Sequence, residues 1–105
     1  MSIINLTPHG VNLKIAGKMV EIPSSGLARC ACNESKVGEV DGIAIYRNSY
    51  GEVTGLPEPQ KDTIYIVSRI VAEALRGSRN DVYIVTKTIR NSDGQIVGAE
   101  GLAVI

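Results

Sequence analysis

The chain has 105 residues, of which 44% are hydrophobic and 21% charged, and it contains four Tyr but no Phe or Trp. This length and composition predict a single domain over residues 1–105 with a core of Ile, Val, Leu and Ala, and they exclude a disordered acidic or basic tail. Eleven basic and eleven acidic residues cancel. Because no net positive charge attracts phosphate backbones, nucleic acid is not an expected partner.

The expected compartment follows from the hydropathy and the cysteines. No apolar run approaches the roughly 20 residues that a membrane-spanning helix needs, and the N-terminus shows no signal-like core. We therefore expect a cytoplasmic protein without a membrane partner. Cys30 and Cys32 are too close for a useful disulfide and are expected to be free thiols. With His9 they offer fewer soft ligands than a structural zinc site needs, so neither a metal nor a cofactor is expected.

The first half of the chain is predicted to consist of strands and turns. Thr7-Pro8-His9-Gly10 and Asp41-Gly42 carry turn residues, and the second pair is typical of a tight hairpin. The polar residues 33–42 and 48–51 are expected to interrupt the strands. Apolar residues at alternate positions predict strands over 3–6, 11–15, 19–22, 27–32 and 43–47.

The second half carries the predicted helix. Pro57 and Pro59 predict a stiff, extended segment, and the nearly continuous apolar run 63–67 predicts a central strand. Ser68 is expected to cap a helix that ends at Gly77. This helix is expected to bury an apolar stripe, Ile70, Val71, Ala74 and Leu75.

Residues 63–86 form the clearest structural unit in the sequence. The strand pattern resumes over 81–86, so strand, helix and strand follow one another, an order typical of a right-handed crossover between parallel strands. A last strand is predicted over 95–105. The predicted fold class is therefore α+β, a strand-rich small domain with one short helix in a strand–helix–strand crossover.

The start of the predicted helix is a candidate anion site. Ligands of parallel sheets settle outside the carboxyl ends of the strands, where a helix N-terminus offers free amides and partial positive charge. We predict that a phosphate or carboxylate binds the amides near Ser68, with Arg69 and Lys87 in reach. The alternative is that Ser68 only caps the helix and that both cations are solvated.

His9 is a second candidate, because an exposed imidazole in a turn can bind a ligand or transfer a proton. The alternative is that Thr7 and His9 only tie the turn through bonds to the backbone. One histidine without a serine or cysteine nucleophile nearby supports no catalytic triad. We therefore assign no catalytic residue.

Four stretches of the sequence read as motifs: residues 4–9 (Ile-Asn-Leu-Thr-Pro-His), 51–60 (ending in Gly-Leu-Pro-Glu-Pro-Gln), 63–74 (Thr-Ile-Tyr-Ile-Val-Ser, then Val-Ala-Glu-Ala) and 79–82 (Arg-Asn-Asp-Val). With them the chain resembles, over nearly its whole length, a family of small, largely uncharacterised proteins of phages, prophages and bacteria. Small phage proteins often act against host defence. One class, called sponges, sequesters nucleotide-derived immune signals such as cyclic dinucleotides or ADP-ribose derivatives. By analogy, the resemblance implies such a role here.

The motif residues coincide with the candidates above. If they converge in space, they offer an imidazole, a carboxamide, a hydroxyl and helix amides, with Arg69 or Arg79 for a phosphate. The predicted ligand-binding residues are Thr7, His9, Gln60, Ser68, Arg69, Arg79 and Lys87.

The candidate residues predict a non-enzymatic binder of a phosphate-bearing ligand, and the resemblance implies a phage-encoded sponge that captures a nucleotide signal in the host cytoplasm. A domain this small is expected to gain pocket walls by forming a homo-oligomer. Two alternatives stay open. One is an inhibitor that covers a host defence protein with a flat surface, anchored by the proline segment and by Tyr46 or Tyr50. The other is a small enzyme that uses His9.

Overall fold

A six-stranded mixed sheet forms the body of the protein, and a two-stranded hairpin projects from it. The computed structural model describes residues 2–105. Along this range the elements are β1 (Ser2–Asn5), β2 (Val11–Ile15), β3 (Lys18–Ile22), β4 (Arg29–Val40), β5 (Ile43–Thr54), β6 (Thr63–Ile66), α1 (Arg69–Ala74), β7 (Val82–Arg90) and β8 (Ile96–Ala103). The strand order of the sheet is β1-β6-β7-β8-β2-β3, and β4 pairs with β5.

Strand β6 lies inside the sheet, where its continuous apolar run is covered on both sides. It pairs in parallel with β1 and with β7, and α1 lies between β6 and β7 in the chain. Ile66 and Val67 are at most 2% exposed, and burying a side chain of this kind contributes about 1.5–3 kcal/mol. The core cluster consists of seven buried residues: Leu6, Ala28, Tyr65, Val67, Val71, Ala72 and Val82.

The two outer strands of the sheet approach each other at one end. Asn5, the last residue of β1, forms an isolated bridge with Ser24, shortly after β3 ends. Backbone bonds join Ser25 N to Asn5 O at 2.8 Å and Ala28 N to Leu6 O at 3.0 Å. Residues 24–28 therefore cover the carboxyl end of the outer edge of β1.

Helix α1 begins as predicted and is shorter than predicted. Ser68 caps it, its Oγ accepting from the backbone N–H of Val71, and Gly77 has a left-handed φ of 82°. The predicted stripe is wrong at Ile70, which is 46% exposed. In a helix of six residues, the adjacent Val71 and Ala72 face the sheet instead. Among residues 2–105, no helix has the length and apolar character that crossing a membrane requires.

Strands β4 and β5 form an exposed arm, defined here as residues 29–54. They pair antiparallel around Asp41 and Gly42, whose φ values of 50° and 80° are those of the predicted tight turn. The predicted interruptions are wrong, since residues 33–40 and 48–51 lie within the strands. The arm accounts for a radius of gyration of 16.3 Å, against about 13 Å for a compact domain of this length.

The base of the arm is attached to the body by packing and by one hydrogen bond. Cys30 and Val53 pack against the core cluster. The Tyr50 hydroxyl donates to Glu73 Oε2 of α1 at 3.0 Å. This bond raises the pKa of Tyr50, because the neutral phenol is the form that donates to the carboxylate.

Candidate ligand-binding pocket

A cavity of about 350 Å³ opens at the carboxyl end of β6, beside the start of α1. Small-molecule sites have volumes of roughly 300–1,000 Å³, so the cavity is large enough for part of a nucleotide. It brings together three of the predicted site residues, Thr7, Ser68 and Arg69. The other lining residues are apolar and were not predicted: Val11, Ile66, Val67, Ile84 and Val85.

Arg69 is the cation among the lining residues. Its side chain is 72% exposed, and its Nε lies 3.5 Å from Glu73 Oε1, one helical turn away. An exposed pair of this kind holds its side chains weakly. The guanidinium is therefore free to turn toward an anion in the cavity, and its planar fork matches two oxygens of a phosphate or carboxylate.

Asn5 shapes the Thr7 side of the pocket and is not among the residues predicted from the sequence. Its fully buried amide donates to the carbonyl oxygens of His9 at 2.8 Å and Ile22 at 3.0 Å. Its Oδ1 accepts from the backbone N–H of Thr7 at 3.0 Å and from Thr7 Oγ1 at 2.6 Å. These four bonds use the whole capacity of the amide. The signal was present, because an Asn two residues before a Thr-Pro turn is typical of an Asx turn.

The two hydroxyl groups of the pocket differ in what they can offer a ligand. The single proton of Thr7 Oγ1 is directed to Asn5 Oδ1 or to the carbonyl oxygen of His9 at 3.0 Å. Thr7 can therefore only accept. Ser68 Oγ accepts from Val71 N at 3.5 Å and keeps its own proton for donation. Because α1 has six residues, these side chains matter more than the helix dipole.

His9 and Lys87 lie outside the lining of this pocket. The side chain of His9 is exposed, and the turn is tied through its backbone carbonyl oxygen. Lys87 is exposed and has a left-handed φ of 51° within β7, between the paired residues Thr86 and Thr88. It marks a local distortion of the strand at this edge of the sheet.

Gln60 and Arg79 lie at the opposite edge of the sheet. They precede β6 and β7, so they belong to the amino ends of these parallel strands. Arg79 donates from Nε and Nη2 to the two carboxylate oxygens of Asp81, each at 2.8 Å, and from Nη2 to the carbonyl oxygen of Pro57 at 3.0 Å. Its side chain is only 17% exposed and lies over the Tyr65 ring. Three of its five N–H donors are therefore already used inside the protein.

The motif residues of this amino edge form one structural network. The Tyr65 hydroxyl donates to the carbonyl oxygen of Glu58 at 3.2 Å, next to the Pro57 carbonyl that Arg79 holds. The bidentate bond to Arg79 lowers the pKa of Asp81, and the same bond raises the pKa of Arg79. The Gly-Leu-Pro-Glu-Pro-Gln and Arg-Asn-Asp-Val motifs thus hold each other in place.

The remaining sequence candidates and the comparisons give no further assignment. Within residues 2–105, His, Cys, Asp and Glu side chains form no group of three or more that could hold a metal ion. Cys30 and Cys32 are free and lie on the arm. Comparison of the chain with protein-family models, with curated proteins and with solved structures finds no match.

Proposed function

We propose that this protein is a non-enzymatic binder of a small organic anion, held in the pocket at the carboxyl end of β6. The observation that carries the proposal is an apolar cavity lined in part by one loosely held guanidinium. Val11, Ile84 and Val85 offer surface for a planar apolar group, whose burial favours binding. Arg69 offers two parallel hydrogen bonds to a phosphate. A nucleotide contains both parts.

Binding without turnover suits a protein that sequesters a signal. Ser68 supplies a hydroxyl donor and Arg69 a cation, which bind anions, rather than a group that exchanges protons near neutral pH. We infer a phage-encoded anti-defence sponge for a phosphate-bearing, nucleotide-derived signal, acting in the host cytoplasm. The resemblance to small phage proteins supports this role by analogy.

The proposed site rests on the order of the elements around it. We infer that β6, α1 and β7 form a right-handed crossover, because parallel neighbours joined through a helix nearly always have that hand. This arrangement places the carboxyl ends of both strands at one edge, where ligands of parallel sheets settle. A homo-oligomer would add walls to a pocket that is open to solvent in one copy.

An inhibitor of a host protein is the second candidate, and the exposed arm favours it. Tyr46 is 56% exposed on the arm, and aromatic side chains often anchor protein interfaces. Tyr50 and Pro57 are weaker anchors, because both already bond within the protein. Co-purification of a host protein, without binding of any nucleotide, is the result that this candidate predicts.

The test is a thermal-shift and calorimetry panel of cyclic dinucleotides and ADP-ribose derivatives. We expect at least one compound to stabilise the protein, by about 2.7 kcal/mol at a hundredfold excess over its Kd, and to be recovered chemically intact. Arg69→Ala should weaken this binding about tenfold or more with little change in Tm, because Arg69 is largely exposed. Arg76→Ala is the matched control, since Arg76 is exposed and outside the pocket. No shift with any compound, or recovery of a converted product, contradicts the proposal.

A further inference from the structure

The arm carries apolar surface that the pocket does not use. Beyond its base, the arm is a two-stranded ribbon, and such ribbons are at best marginally stable alone in water. Within the described chain, β4 pairs with β5 and neither strand has a second neighbour. Six large apolar residues of the arm are 39–64% exposed: Val37, Val40, Ile43, Ile45, Tyr46 and Tyr50. A neighbouring surface that covered these residues would stabilise the end of the arm.

The outer edge of β5 is better suited to pairing than the outer edge of β4. A register shift between Lys36 and Gly38 interrupts β4, which also carries several charges. Bulges and charges are the usual protection of strand edges. Residues 43–50 of β5 are paired without a break and include one charge, Arg47, and neither Pro nor Gly. This stretch extends for about 27 Å.

The tight turn decides which backbone groups this edge presents. Val40 and Ile43 flank a two-residue turn, so they form a hydrogen-bonded pair. The N–H and C=O groups of Ile43 and Ile45 then point to β4, and those of Ala44 and Tyr46 point outward. Two copies of β5 can form an antiparallel ladder only if residues whose backbone N–H and C=O groups point outward lie opposite one another. The two-fold axis must therefore pass through a residue position.

Strand overlap and charge select the register. An axis at Ala44 leaves only residues 43–45 of the two strands opposed, because β5 begins at Ile43. An axis at Arg47 opposes two arginines, and an axis at Tyr46 or Asn48 places the two arginines diagonally on one face, so these are disfavoured. An axis at Ile45 opposes Ile45 to its own copy in a close, non-hydrogen-bonded pair. It also places Arg47 diagonal to Asp41 of the second copy, a favourable pair of opposite charges.

We infer that two copies of this chain associate by antiparallel pairing of their β5 strands, with the two-fold axis at Ile45. The two arms then form a continuous four-stranded sheet in the order β4-β5-β5-β4. Ala44 of each copy exchanges backbone hydrogen bonds with Tyr46 of the other. The interface lies on the arm and involves no lining residue of the pocket, so it stands independently of the proposed function.

Cysteine cross-linking tests the register directly, in a chain with Cys30 and Cys32 replaced by Ser. Ile45→Cys should give a disulfide-linked dimer on mild oxidation, because opposed Cα atoms of a non-hydrogen-bonded pair lie about 4.5 Å apart, within disulfide range. Ile43→Cys is the matched control on the same strand and face. In this register the two Ile43 positions lie about 14 Å apart, so this variant should not cross-link.

Sedimentation velocity tests the association without cross-linking. The unmodified chain should sediment as a dimer, and Ile45→Lys, which places two ammonium groups at the axis, should sediment as a monomer. Val40→Lys, on the same face of β4, should remain dimeric. An unmodified chain that is monomeric up to about 100 µM overturns the inference, as does equal cross-linking of the Ile43→Cys and Ile45→Cys variants. A monomeric arm that binds a different protein also overturns it.

Discussion

The two edges of the parallel strands each carry an arginine, and the fold treats the two in opposite ways. At the amino edge, Arg79 donates to Asp81 and to the Pro57 carbonyl oxygen and is 17% exposed. At the carboxyl edge, Arg69 lies 3.5 Å from Glu73 and is 72% exposed. An arginine is therefore available to a ligand where the fold leaves its donors free.

The two arginines are expected to affect different properties: Arg79 the stability of the fold and Arg69 the binding of the ligand. Substitutions at the amino edge should lower the free energy of unfolding and leave the pocket intact. Substitutions of Arg69 should weaken ligand binding and leave the free energy of unfolding unchanged. A ligand that bound at the amino edge, or a stable protein without the Arg79 network, would break the distinction.

The largest effect is expected at Gly55, where the segment held by Arg79 begins. Its φ is 83°, and a Cβ there would overlap the carbonyl oxygen of Leu27. Gly55→Ala should lower the free energy of unfolding by about 3 kcal/mol, from left-handed strain and steric overlap together. Urea unfolding measures the change. Gly94→Ala is the control, since Gly94 has a φ of 80° in open space, and it should lose only about 1 kcal/mol. Equal losses at the two positions would show that the contact with Leu27 is unimportant.

A smaller loss is expected when the ion pair of the amino edge is broken. Asp81→Asn leaves the guanidinium of Arg79 largely buried without its carboxylate, which should lower the free energy of unfolding by about 2 kcal/mol. Glu39→Gln, in the exposed Lys36–Glu39 pair, should change it by less than about 0.5 kcal/mol. Ligand affinity should stay at the unmodified value in both variants. A stable Asp81→Asn protein would contradict the structural role of Arg79.

The pH dependence of unfolding in acid depends on the Arg79–Asp81 ion pair. The bond to Arg79 lowers the pKa of Asp81 in the folded protein. The ion pair therefore contributes fully above the unfolded pKa of about 3.9, and its contribution is lost as the pH falls through the lower, folded value. Urea midpoints between neutral pH and about pH 2 should fall less steeply in Asp81→Asn than in the unmodified chain. Parallel curves for the two proteins would show that Asp81 does not titrate against folding.

Local signals predicted much of the fold. The turn at Asp41-Gly42, the buried strand β6 and the Ser68 cap depend on residues next to one another, and each is present. The length of the arm could not be predicted in this way. Residues such as Asn33 and Ser49 pair with each other while both faces of the ribbon are exposed, so no alternation of apolar and polar residues marks residues 33–40 and 48–51 as strand.

The candidate site was predicted only in part. Ser68 and Arg69 were found because a cap and a cation at a helix start are local features, and Thr7 joins them through the parallel pairing of β1 with β6. The apolar lining of the pocket depends on which strands end at the same edge of the sheet. Local sequence patterns do not show this. Arg79 was predicted as a ligand contact, because its hydrogen bond to the Pro57 carbonyl oxygen joins residues 22 apart in the chain and no local pattern reveals it.

An amide chemical-shift titration shows whether the ligand occupies the carboxyl edge beside Arg69. A nucleotide that stabilises the protein is added to labelled protein, and the perturbed residues are mapped. We predict shifts at Thr7, Val11, Ser68 and Val85, with none around Ser78 and Asn80 at the amino edge. Shifts confined to the amino edge, or spread over the arm with the pocket unchanged, would contradict the claim.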